Sequence, residues 1–117
     1  MKEKGAFYEQ LAADYLVKAG LILLERNYQC KGGEIDIIGT QNEHLVFVEV
    51  RFRSNSAFGT AAATVDWRKQ QKIIRAANVF LLHRPTHANK PCRFDVIAIS
   101  GSQPQLTVQW LKSAFTS

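Results

Sequence analysis

The period of the apolar positions changes along the chain, and each change marks an element. In "KGAFYEQLAADYLVKA", residues 4–19, Phe7, Leu11, Ala12, Tyr15, Leu16 and Ala19 recur at helical spacing, which predicts an amphipathic helix with Gly20 as its stop. "LILLERNY", 21–28, reads as a strand and "CKGG" as a loop. "EIDIIG", 34–39, and "HLVFVEVRF", 44–52, read as strands joined by the polar turn "TQNE", a hairpin. The loop "RSNSAFGTAAA" follows, with Gly59 near its middle. "TVDWRKQQKIIRAANVFLLHR", 64–84, returns to helical spacing, with Thr64 or Asp66 as cap and Pro85 as terminator. Ile73, Ile74, Ala77, Phe80 and Leu81 lie on one face of it, and Arg68, Lys69, Lys72 and Arg75 on the other. "CRFDVIAIS", 92–100, and "QLTVQWL", 105–111, are the last strands, and the "SAF" tail is expected to fold back on the domain. The order α-β-β-β-α-β-β predicts an α/β fold: one domain over 1–117, with a central mixed β-sheet flanked by helices.

Composition narrows the class. The 117 residues are 46% hydrophobic and 21% charged, enough to close one core. The apolar run "LVKAGLILL" is interrupted by Lys18, and no run reaches the roughly 18 residues that a membrane span needs. The charged start "MKEKGAFYEQ" lacks the apolar centre of a signal peptide, so a cytoplasmic protein with no membrane partner is expected. Cys30 and Cys92 form no CxxC pair and no zinc spacing, and read as ordinary thiols. Net charge is +5, unevenly spread. Residues 1–50 hold five Lys or Arg against eight Asp or Glu, and residues 51–117 hold ten against two. An acidic cluster followed by a basic half suits a chain that grips a polyanion and holds a cation at one point.

The acids sit where strands are read. Alternation puts Glu34, Asp36 and Ile38 on one face of 34–39, with Ile35 and Ile37 on the other. In 45–53, Glu49, Arg51 and Arg53 share a face with Leu45 and Phe47, while Val46, Val48, Val50 and Phe52 form an apolar face. If the two strands pair, Asp36 and Glu49 meet. Two carboxylates at close range repel unless a proton or a metal lies between them, and hard oxygen ligands suit Mg²⁺ or Mn²⁺. The competing reading is structural: Arg51 and Arg53 simply pair with the acids. Glu9 falls at the edge of the first helix's apolar face, near Ala12 and Leu16.

The ordered set "GAFYEQLAADYL", "GGEIDIIG", "LVFVEVRFR", "FGTAAATVDWRKQQK" and "CRFDVIAI", ending in "SAF", spans nearly the whole chain. It resembles the YraN family of bacterial proteins. More broadly, a Glu in the first helix, then Asp, then a Glu-x-Lys pattern after a hairpin resembles the PD-(D/E)XK nuclease superfamily, whose archaeal-type Holliday junction resolvases are small members. The resemblance implies a restriction-endonuclease-like core, with Asp36 and Glu49 as ligands of Mg²⁺ or Mn²⁺ and Glu9 as the helix-borne acid. Position 51 matches the catalytic lysine, and here the chain departs from the pattern with Arg51. Arg keeps its charge at any working pH and cannot transfer a proton as a tuned Lys can, though it can steady a charged phosphate.

Together these readings predict a nucleic-acid-binding, Mg²⁺-dependent endonuclease-like protein that acts on DNA in preference to RNA, and the resemblance to resolvases implies branched DNA among its substrates and a homodimer. The alternative is an inactive nucleic-acid-binding module or an adaptor on the same fold. Glu9, Asp36, Glu49 and Arg51 are the candidate catalytic residues. Arg53, Arg68, Lys69, Gln70, Lys72 and Arg75 are the candidate nucleic-acid contacts. Phosphate contact of this kind gives affinity without sequence preference. Trp67 and Phe58 flank the expected groove, where an aromatic can stack on a base or serve only as packing. His44, His83 and His87 are given no catalytic role, because Pro85 breaks the helix between the last two. The chain has no Gly-rich phosphate loop in a strand–helix context and no Ser or Cys nucleophile with a base.

Overall fold

The computed structural model describes residues 2–53, 65–102 and 104–117. Thr64, Phe58 and Gly59 lie outside the described residues. The elements run α1 (Lys2–Lys18), β1 (Ile22–Cys30), β2 (Gly33–Gln41), β3 (His44–Arg53), α2 (Trp67–His83), a 3-10 turn (Pro85–His87), β4 (Cys92–Ser102) and β5 (Gln105–Phe115). The strands form one sheet in the order β1-β2-β3-β4-β5. β3 and β4 are parallel and the other neighbours antiparallel, so the sheet is mixed. Only the parallel pair needs a crossover, and α2 lies within it.

Local chemistry accounts for the boundaries. α1 ends where Gly20 takes φ +109°, with the Leu21 N–H donating to the Leu16 carbonyl at 2.9 Å and the Gly20 N–H to that of Val17 at 3.1 Å. Asn42 and Glu43, both at positive φ, form the two-residue hairpin between Gln41 and His44. α2 starts at Asp66, whose carboxylate accepts the Lys69 N–H at 2.9 Å. The "SAF" tail is not a separate segment: it extends β5, and Phe115 stacks on Phe94 at 5.2 Å.

Apolar layers cover both faces of the sheet. On one, Ile38, Leu45, Phe47 and Phe94 pack against Ile73, Ala76, Ala77 and Phe80 of α2. On the other, Ile37, Val46, Val48, Ile97 and Ile99 pack against Tyr8, Ala12, Ala13 and Leu16 of α1. This is the arrangement of a restriction-endonuclease-like core, a mixed sheet with a helix on either side. The buried stripe of α1 is rotated from the one its periodicity predicts: Tyr8 and Ala13 turn inward, while Phe7 and Tyr15 are exposed. The small Ala12 and Ala13 let the helix approach the sheet, and Tyr8 stacks on Phe52 at 4.0 Å. Buried aliphatic and aromatic side chains of this kind typically contribute about 2–5 kcal/mol each against truncation to alanine.

Candidate functional site

The site forms where regular pairing stops. The β2–β3 ladder extends to Ile37 opposite Val48 and no further. Beyond it the Asp36 carboxylate takes over, its Oδ2 accepting the Val50 N–H at 2.8 Å. Strict alternation also fails here. Ile35 joins the α2-side core and Ile37 the α1-side core, although they are two residues apart. Across from Asp36, between the pairs Arg26–Ile37 and Tyr28–Ile35, Asn27 adopts φ +54°. The face assignment read from the sequence, with Ile35 and Ile37 together, is therefore corrected: both strands change face at this step. An Asn tolerates the left-handed backbone that such a change demands.

Asp36 and Glu49 come together, with their carboxyls within hydrogen-bonding reach of one another. Glu49 is 5% exposed. Burial, and then the Asp36 charge, push its carboxyl up to about 8, against the opposing pull of Lys69 and Arg51. Burial raises Asp36 as well, against the Val50 N–H and the Lys69 charge. Each carboxyl thus disfavours the charged form of the other, as expected of two acids that compete for one proton. A carboxylate serving only as the anchor of two cations would be driven to lower pKa. Here burial and the neighbouring acid outweigh both cations.

Two cations face the pair. Arg51 Nε lies 3.4 Å from Glu49 Oε2, and Lys69 Nζ lies 3.7 Å from the same oxygen. The Arg51 Nε–H makes no hydrogen bond despite being buried, so that contact is one of charge and not of bond geometry. Lys69 lies on a different face of α2 from the one the sequence gives it. It leaves the exposed stripe of Arg68, Lys72 and Arg75 and turns toward the carboxylates, half-buried. The signal was present, because Lys69 precedes Ile73, Ala76 and Phe80, all buried, by four, seven and eleven residues.

The remaining candidates divide. Glu9 is half-buried and stands within electrostatic reach of Asp36. Burial and then the Asp36 charge raise it, while a hydrogen bond from Asn27 and the Arg26 charge oppose the rise. Arg53 is exposed at the end of β3. Gln70 Nε2 donates to the Val65 carbonyl at 2.9 Å and secures the entry to α2. Sequence reasoning also passed over Asp95, which is 0% exposed. It accepts from Arg93, from Trp110 Nε1 at 2.7 Å and from the Ser113 N–H at 2.9 Å. That network is fully satisfied and ties β4 to β5 away from the carboxylate pair.

The donor set suits a hard divalent cation. Among the described residues no group of three or more His, Cys, Asp or Glu side chains is placed to hold a metal. Mg²⁺ is commonly held by one or two carboxylates together with water and substrate phosphate, and Asp36 and Glu49 supply that minimum.

Comparison with known proteins identifies the family. The profile of the uncharacterised protein family UPF0102 matches residues 8–99. A UPF0102 protein of Saccharophagus degradans is 54% identical over 114 residues, covering 97% of this chain and 93% of its own. A relative from Pseudomonas syringae, 45% identical over 117 residues, covers 99% of this chain and 95% of its own, and one from Legionella pneumophila, 47% identical over 114 residues, covers 97% of this chain and 95% of its own. No helix of the described residues is long and apolar enough to cross a membrane. The chain belongs to the UPF0102, or YraN, family.

Proposed function

We propose that this protein is a metal-dependent endonuclease-like hydrolase acting on the phosphodiesters of DNA. One observation carries the reading: half-buried Asp36 and buried Glu49 face each other where the β2–β3 ladder ends, opposite a lysine and an arginine, an arrangement that would keep a proton between the acids when no metal is bound. Asp36 and Glu49 would hold Mg²⁺ or Mn²⁺ once that proton is displaced. Such an ion supplies Lewis-acid charge at a phosphate oxygen and lowers the pKa of a bound water.

The chain's own groups do the rest. The Val50 N–H fixes the Asp36 carboxylate, so the acid does not have to be ordered when substrate arrives. Lys69, brought by α2 to the Glu49 oxygen, supplies the ammonium that a lysine at position 51 would otherwise provide. With an amine in place, the arginine at 51 is free of the need to move protons and serves as a fixed positive charge toward the charge that develops on phosphate. Glu9, near Asp36, is an outer acid that orients water. Arg68, Lys72 and Arg75, exposed on α2, provide backbone contacts without base reading.

The test is a cleavage assay of purified protein on linear, flapped and four-way-junction DNA and on RNA, with and without Mn²⁺. Metal-dependent turnover that Asp36→Ala and Glu49→Ala abolish supports the hydrolase. Salt-sensitive binding without turnover on any substrate overturns it in favour of a binding module on the same fold.

A further inference from the structure

Two hollows flank α2 and meet at shared residues. One, of about 360 Å³, is lined by Glu34, Gly33, Lys69 and Lys72 and adjoins the carboxylate site through Lys69. The other, of about 550 Å³, runs along α2 past Arg68, Lys72 and Arg75, between Trp67 at one end and Leu82 at the other. Lys72 and Gly32 line both. The close seat of α2 on the β1–β2 turn shapes the trough: a Cβ on Gly33 would collide with the Lys72 carbonyl, and one on Gly32 would lie 2.9 Å from Arg75 Cδ. Only glycine lets the turn lie this near the helix, and Gly32 is held at φ +91°.

The lining is unusual in one respect. Trp67 is 72% exposed and Leu82 is 79% exposed, although both belong to types that normally bury. Between them stand three exposed cations on one stripe. A phosphate backbone satisfies the cations but not the indole. A base stacked on the indole satisfies both, and stacking of this kind tolerates any base. In a duplex each base face is already covered by its neighbours, so an indole on an outer helix finds no π-face there. The hollow is also of the size that takes a ligand of nucleotide dimensions rather than a double helix.

We infer that this trough binds an unpaired strand of DNA, with a base on Trp67, its phosphates on Arg68, Lys72 and Arg75, and the strand led past Lys69 to the carboxylate pair. The preferred substrate then carries unpaired nucleotides beside the cleaved bond, as at a flap or a frayed branch point. The binding mode depends on the hydrolase reading only for the direction of the strand. Glu34, on the wall of the smaller hollow, keeps the lining there from being uniformly basic.

The experiment measures binding in EDTA, where no cleavage intervenes. A decathymidylate and a blunt duplex of the same length are titrated against wild type, Trp67→Ala, Trp67→Phe and Lys72→Ala, while indole fluorescence and affinity are read. The single strand is expected to quench fluorescence, and Trp67→Ala to weaken its binding by about tenfold or more, with Trp67→Phe restoring most of the loss. Duplex affinity is expected to be weaker and indifferent to Trp67. Lys72→Ala is expected to lower the salt dependence with the single strand. Equal affinity for both ligands, or a Trp67→Ala protein that binds the single strand like wild type, overturns the inference. Trp67-dependent binding by a protein that never cleaves with Mn²⁺ supports this surface while refuting the hydrolase. Cleavage indifferent to Trp67 and to unpaired nucleotides does the reverse.

Discussion

The Asp36 and Glu49 carboxyls face each other one step beyond the last backbone pair of β2 and β3, Ile37 with Val48. The end of the ladder and the start of the site are thus the same structural event. Asp36 closes the end of the ladder through the Val50 N–H, and the opening beyond it holds the acid pair.

That relationship makes stability depend on pH. Glu49 is raised from 4.5 to about 8, and Asp36 shifts in the same direction. Between those values the folded chain binds more protons than the unfolded chain, so the stability these groups contribute is complete below about 4.5 and is lost as pH rises toward 8. One group lost in this way contributes a slope of at most about 1.4 kcal/mol per pH unit. His87 is lowered, mainly by burial, and its contribution runs the opposite way. The readout is therefore a difference. Thermal melts from pH 5 to 8 should show wild type losing stability relative to Glu49→Gln, which keeps a hydrogen-bonding partner for Asp36 but cannot ionise. Parallel curves would count against the shared proton.

Lys69 and Arg51 should separate in function. Both lie within 4 Å of Glu49 Oε2, at 3.7 and 3.4 Å. If Lys69 supplies the ammonium, Lys69→Ala should lower Mn²⁺-dependent cleavage by about 10²-fold or more, while Arg51→Lys should retain most of it. Steady-state rates on one flapped substrate measure both. A mild Lys69→Ala effect beside an inactive Arg51→Lys protein would return the central role to Arg51.

The turn beneath α2 should be intolerant of any side chain. Gly33→Ala drives a methyl into the Lys72 backbone carbonyl, which cannot rotate away as a side-chain tip would. A loss of about 1–3 kcal/mol in urea unfolding is expected, as for other overpacked interiors. Gly5→Ala, inside α1 with nothing within 4 Å of the new carbon, is the control and should be neutral to stabilising, by up to about 1 kcal/mol.

Asp95 should matter to folding and not to chemistry. Its carboxylate is buried with Arg93 at 3.0 Å and is held by Trp110 and Ser113. Removing it in Asp95→Ala leaves a half-buried guanidinium without its partner, at a cost of about 3–5 kcal/mol. Denaturant midpoints measure the loss. Cleavage by the fraction that remains folded should be unchanged.

Much of this was legible in the sequence, and the exceptions share a cause. Element order, the hairpin and the helix-capping Asp66 follow from period and turn chemistry, which are local. The meeting of Asp36 with Glu49 was legible as well, because hairpin register fixes it. Alternation at Ile35 and Ile37 misled because the Asn27 backbone on the neighbouring strand resets the face, and no local pattern in β2 records that. Lys69 was grouped with its basic neighbours by charge, although its spacing from Ile73 placed it on the buried stripe. The rotated stripe of α1 arose because two alanines set the approach to the sheet, and packing distance is not written in hydropathy.

The most direct test of the carboxylate pair as a cation site is calorimetric titration of Mn²⁺ at pH 7, run in two buffers of different ionisation enthalpy. The expected result is stoichiometric binding to wild type accompanied by release of the shared proton, with both abolished in folded Glu49→Gln protein. Mn²⁺ binding that is absent from wild type, or that persists unchanged in Glu49→Gln, would contradict the account.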